Sequence, residues 1–210
     1  MPYTKKQRVI SSFIDRFVNL KKECCVMKTI MACVASILFV CSVYAEKAPE
    51  QVYGLAQTEI AALGADPVII DAVKAANSQG KSLDQIKAQD EEWQKTPGIA
   101  DFMQSLMDTE CAKRIKSFRD SKPYFSEIFV MDNQGANVAM TDKTSDYWQG
   151  DEAKFQKSFN NGAGSIFVDE VKFDDSTQGY LVQVSVPVKD GETTIGTITV
   201  GIDVDALLGN

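Results

Sequence analysis

The 210-residue chain contains no histidine, so the commonest general base and metal ligand near neutral pH is missing. Cysteine is scarce where it would count. Cys24, Cys25, Cys33 and Cys41 precede residue 46, and only Cys111 follows it. The stretch from 46 onward can form no intrachain disulfide, and a lone thiol on an apolar helix face offers no nucleophile–base pair. No Ser-base constellation is visible either. Long apolar runs are also missing: Ile30 to Tyr44 falls short of the ~18 residues that span a bilayer. Positive charge is thin, with 15 Lys/Arg against 27 Asp/Glu in residues 46–210, a net charge of −12. That balance excludes an electrostatic footprint for nucleic acid or an anionic membrane.

What is present begins at Met27, where MKTIMACVASILFVCSVYAEKAPE reads as a secretory signal peptide cut after Ala45. The alternatives are a transmembrane anchor, which is too short, and a lipoprotein cut before Cys41, where Val40 is larger than the usual small residue. Residues 1–26 place Val9, Phe13, Phe17 and Leu20 roughly on one helical face, which fits a membrane-surface helix. They equally fit an upstream translation start, since Lys22-Glu23 is encodable by a ribosome-binding sequence ahead of Met27. The expected mature protein is therefore residues 46–210, enough for one domain with one core.

Its first part, 46–120, has helical periodicity. Val52, Leu55, Ala56, Ile60 and Leu63 form a stripe ended by Gly64. Asp66-Pro67 supplies an N-cap with proline at the first helical position. Ser82 and Gln85 are spaced as a capping box ahead of Leu83, Ile86 and Trp93. After Pro97-Gly98, the residues Ile99 to Phe118 predict one longer helix. Trp93, Met103 and Met107 belong to the core at this spacing rather than to a ligand box.

From 121 to 210 the period becomes two, and five strands are expected: EIFVMD, ANVAMT, SIFVDEVKF, GYLVQVSVPV and TTIGTITVGID. Asp132-Asn133-Gln134-Gly135, the segment 174–179 and Asp190-Gly191 are turns. Short links make the sheet antiparallel. In the last two strands the valines and isoleucines share one face. Gln183, Ser185, Thr197, Thr199, Gly201 and Asp203 share the other, which is either a solvent-exposed face or the lining of a covered cavity.

The ordered set EIFVMDNQGANVAMT, DYWQGDEAKFQKSF, GYLVQVSVPV and IGTITVGIDVDAL resembles a single Cache domain, the extracytoplasmic relative of PAS domains that serves as a sensor module in bacterial receptors. The resemblance covers residues 95 to 208 and implies an α+β fold with N-terminal helices packed on a five-stranded antiparallel PAS-like sheet. It also implies a pocket on one sheet face, roofed by the segment between the second and third strands. Tyr147 and Trp148 would be flat walls and Lys154 a cation for a carboxylate or sulfonate. Asp203, ending Gly201-Ile202-Asp203, matches the carboxylate that holds a ligand amine, and Asp174 matches a second acidic position. Asp169 is taken with them. The arginine and tryptophan that the amino-acid-binding pattern wants in the helix are replaced by Glu152 and Lys154. Each candidate has a plainer role: Trp148 as a core cover, Lys154 as solvated charge, Asp203 as a cap on the following turn. Asp90-Glu91-Glu92 and Asp174-Asp175 lack the alternating ligands of a calcium loop and read as solvated charge. No cofactor or metal is expected.

Receptors of this family continue into a transmembrane helix and a signalling domain, whereas this sequence stops at Asn210. The expectation is a freestanding periplasmic protein, without a membrane anchor after processing and not an enzyme. It would bind a small-molecule ligand (an amine, an amino acid or a carboxylate) and act through a separate membrane receptor or transporter. The alternative is a structural or assembly partner with a vestigial pocket.

Overall fold

The computed structural model describes residues 46–174 and 179–209. The expected leader and signal peptide, and the turn that carries Asp175 and Thr177, lie outside the described residues. Among the described residues, no helix is long and apolar enough to cross a membrane.

Six helices lead. α1 (Glu50–Gln57) and α2 (Glu59–Leu63) replace the single helix expected there. The break falls at Thr58, whose backbone is non-helical and whose hydroxyl donates to the Gly54 carbonyl at 2.7 Å, competing with the helical ladder. α3 (Pro67–Ser78) starts as its sequence dictates, the Val68 amide donating to Asp66 Oδ1 at 2.9 Å. α4 (Leu83–Lys95) carries the full Ser82–Gln85 capping box. The predicted long helix after Pro97 is also two, α5 (Asp101–Met107) and α6 (Glu110–Arg119). The first ends at Asp108, and extended Thr109 caps the next by accepting from the Ala112 amide at 2.9 Å.

The sheet is antiparallel with six strands: β1 (Phe125–Met131), β2 (Asn137–Met140), β3 (Phe167–Val168), β4 (Lys172–Asp174), β5 (Gly179–Asp190) and β6 (Thr193–Asp203). Between β2 and β3 lie α7 (Ala153–Phe159) and a short 3-10 turn, and α8 (Val204–Leu208) follows β6. The order is β2-β1-β6-β5-β3, with β4 also on β5. The sixth strand arises because the expected SIFVDEVKF strand is interrupted. Phe167 and Val168 pair with Ser185 and Val184, and Lys172 and Phe173 with Leu181 and Tyr180. Between them Val171 turns away to bridge Glu46. Two strands thus share one edge of β5.

The two sheet faces serve different cores. Val182, Val184, Val186, Ile198, Val200 and Ile202 pack with Ile128, Val130 and residues of α1, α2, α3 and α6. On the other face, Phe129 and Met131 pack with Ile86 and Trp93 of α4, Met103 of α5 and Phe155 of α7. The small polar face is not a solvent face. Ser185, Thr197 and Thr199 are fully buried, and the Ser185 and Thr199 hydroxyls bond to each other at 2.8 Å. The chain between β2 and β3 covers them, α7 packing on β5 and β6.

Candidate ligand-binding site

The cover is built by stitching the loop 144–152 to α4 and to the β1–β2 turn. The Trp93 indole N–H donates to the Thr144 carbonyl at 2.8 Å. Asp90 Oδ1 accepts from the Tyr147 and Trp148 amides at 2.7 and 3.0 Å. At the β1–β2 turn, the Gln149 amide donates to the Gly135 carbonyl at 2.8 Å and the Trp148 indole to the Gln134 carbonyl at 2.8 Å. This approach needs glycine. Gly135 has φ +86°, and a Cβ there would sit 2.5 Å from Gly150 Cα, inside any tolerable contact.

Between this cover and the polar sheet face is a cleft of about 510 Å3, within the usual range for small-ligand sites. The sheet contributes Glu127 and Phe129 of β1, Gln183 of β5 and Asp174 of β4; the cover contributes Lys143, Thr144, Ser145, Gln149 and Lys154. Lys154 has only 12% of its side chain exposed. Its ammonium lies 3.1 Å from the Glu152 carboxylate and 5.2 Å above the Phe129 ring, a cation–π position. Opposite it, Glu127 accepts from Gln183 Nε2 at 3.0 Å. Burial pushes the Glu127 carboxyl above its ordinary pKa. Gln183 and Lys154 pull against that rise, and Asp174 adds to it. Gly201 makes room for this acid, since a Cβ there would meet Glu127 Cγ at 2.8 Å. Gln149 is fully buried. Its Nε2 donates to the Asp146 carbonyl at 2.7 Å, while its Oε1 has no hydrogen-bond partner among the described residues. An unpaired buried acceptor is costly unless something fills it. The arrangement offers a cation, half-buried acids, an aromatic floor and a waiting acceptor, which suits a small polar ligand with charges of both signs.

Of the six residues proposed from sequence, Lys154 and Asp174 line this cleft; the other four do not. Tyr147 is turned toward the helices because Asp90 holds its amide from α4. Its ring lies 5.8 Å from Trp93 and its hydroxyl 3.3 Å from Lys81 Nζ. Trp148 sits in a separate groove against α4, with Lys87 Nζ 4.7 Å from its ring. Asp169, at the sheet edge, accepts from Lys172 Nζ at 2.7 Å. Asp203 accepts from the Ala206 amide at 2.9 Å and so caps α8. Sequence reasoning passed over Glu127, Gln149 and Lys143. Glu127 was detectable, because the period of two that places Phe129 on the second core face places Glu127 there too. Lys143 gave no signal: its ammonium is tied to the Thr96 and Gly98 carbonyls at 2.9 and 2.7 Å across a gap in sequence.

No protein-family model and no curated protein matches the chain. It is similar to the sensor domain of the Vibrio cholerae histidine kinase DctB, at 14% identity over 74% of this chain and 51% of that one, with a TM-score of 0.40. It is also similar to the ligand-binding domain of the Campylobacter jejuni chemoreceptor Tlp3 in complex with L-valine (18%, 73%, 62%, 0.36). A third is the ligand-binding domain of the Pseudomonas aeruginosa amino-acid chemoreceptor PctC in complex with GABA (13%, 73%, 62%, 0.35). The chain spans 51–62% of the length of these three structures.

Proposed function

We propose that this protein is an extracytoplasmic small-molecule sensor domain of the single Cache type, and that its ligand sits in the cleft over the polar sheet face. The observation that carries this reading is the convergence of Glu127, Gln149, Asp174, Gln183 and Lys154 around the Phe129 ring in about 510 Å3. The ligand is a small molecule with both an amine and an acid, the amine toward Glu127 and Asp174 and the acid toward Lys154. It is captured rather than turned over, and the liganded form acts through a separate membrane receptor or transporter. Secretion through residues 27–45 places it in the periplasm.

A thermal-shift panel of amino acids, amines, carboxylates and sulfonates tests the site. A ligand at a hundredfold excess over its Kd adds ~2.7 kcal/mol of stability. Lys154→Met and Glu127→Gln should each weaken a zwitterion about ten- to a hundredfold, the loss of a charge-assisted hydrogen bond. A panel that shifts nothing would overturn the reading. Secretion is tested separately, by intact mass: the periplasmic chain should begin at Glu46.

One observation favours the assembly-partner reading. Phe173 and Tyr180 are about half exposed and stack edge-to-face, ring centroids 5.4 Å apart, at the β4–β5 edge. An empty ligand panel together with self-association lost in Tyr180→Ser would favour it.

A further inference from the structure

A second cleft, of about 440 Å3, shares the 144–149 loop as a wall but contains none of the residues of the first. One part of it is apolar, formed by Ala72 and Ala76 of α3, Phe102 and Leu106 of α5, and Val138 of β2. The other part is polar, with Lys81, Asp132, Asn137 and Tyr147. We infer that this cleft is a second small-molecule site, built for a neutral primary amide or alcohol with a short apolar body.

The head group follows from hydrogen-bond accounting. Asn137 is 2% exposed. Its Nδ2 donates to Thr144 Oγ1 at 2.8 Å and to the Asp146 carbonyl at 3.2 Å. Thr144 Oγ1 spends its own proton on that same carbonyl, at 2.7 Å. Carbonyl and hydroxyl acceptors on this side fix which end of the carboxamide carries nitrogen. Asn137 Oδ1 is left as a buried acceptor with no partner among the described residues. Tyr147 is 3% exposed, and its hydroxyl oxygen accepts from Lys81 Nζ at 3.3 Å. No acceptor among the described residues takes the hydroxyl proton. The polar end thus has one unfilled acceptor and one uncommitted hydroxyl proton, which suits an amide or alcohol, since each carries both a donor and an acceptor.

Neutrality follows from charge. Burial raises the Asp132 carboxyl above its ordinary pKa, while nearby Lys81 and the Gln134 and Ala136 amides, which donate to Asp132 Oδ1 at 2.8 and 3.0 Å, favour its charged form. One cation and one carboxylate already balance, so a charged ligand would lose hydration without gaining an unopposed counter-charge. The alanines on α3 leave the space that the apolar body fills. This site does not depend on the sensor reading of the first cleft.

The test titrates the protein with isobutyramide, isobutyrate and isobutylammonium, followed by 1H–15N NMR. Isobutyramide should give saturable shifts centred on Ala76, Val138 and Tyr147, with the two ions at least tenfold weaker. Ala76→Leu should abolish those shifts. Should that variant fail to fold by circular dichroism, Leu106→Trp fills the cleft from the opposite wall and should do the same. Lys154→Met, which alters only the first cleft, should leave isobutyramide binding unchanged. Four outcomes would overturn the proposal: no saturable shift with isobutyramide, equal response to all three probes, shifts that persist in the filled variant, or shifts that centre on Phe129 and Lys154.

Discussion

Asp90 holds the cover of the candidate cleft, and removing it should loosen that cover measurably. Its Oδ1 takes the Tyr147 and Trp148 amides, and its Oδ2 takes Gln94 Nε2 at 2.8 Å. A hydrogen bond to a charged group contributes about 1.5–3 kcal/mol when buried. Asp90 is half-buried, and freed amides regain some water, so Asp90→Ala should cost about 2 kcal/mol in total. For a domain of this size that is a fall of roughly 4–8 °C in Tm. Asp90→Asn keeps an oxygen in the same place and should cost about half as much. Urea unfolding of both variants measures this, with the slope m unchanged if only the native contact is lost. The same loop carries Thr144, Ser145 and Gln149 of the cleft, so ligand affinity should fall in the order wild type, Asp90→Asn, Asp90→Ala. If Asp90→Ala lies within 0.5 kcal/mol of wild type, or if Asn is as damaging as Ala, the carboxylate does not anchor the loop by geometry.

Glu127 makes stability depend on pH with a defined sign. Its folded carboxyl pKa is raised from 4.5, first by burial, so its favourable contribution is complete below about that value and is lost as pH rises through the raised one. Glu127→Gln should therefore raise Tm at neutral pH, with the difference shrinking toward pH 4.5; a lower Tm at neutral pH would contradict the desolvation argument. The Cys111 thiol is pushed up to about 12 by burial, so iodoacetamide should label it only on unfolding. Rapid labelling of the native protein would place it elsewhere. Asp203→Ala removes the cap on α8 and should cost about 1 kcal/mol with ligand affinity unchanged. A loss of affinity would return Asp203 to the site.

Local chemistry is what could be read from the sequence. Asp66-Pro67 and Ser82–Gln85 start helices wherever they occur, because the orphan amides of a first turn need those acceptors. Strict alternation in GYLVQVSVPV and TTIGTITVGID announces two strands with one greasy and one polar side. The breaks at Thr58 and Thr109 were less visible, since the apolar stripe runs on across both while a hydroxyl redirects the backbone.

The site divides along the same line. Alternation alone puts Glu127, Phe129, Gln183 and Thr199 on the second face, but whether that face meets water is not a local property. The tertiary structure decided it, by folding 144–159 over the sheet and holding it with Asp90, Trp93 and the Gly135–Gly150 approach. Those contacts join residues far apart in the chain, and no periodicity records them. The loop's direction also chose between neighbours. Tyr147 and Trp148, the conspicuous aromatics, were turned toward the helices, where Asp90 holds both their amides, and Gln149 beside them toward the cleft.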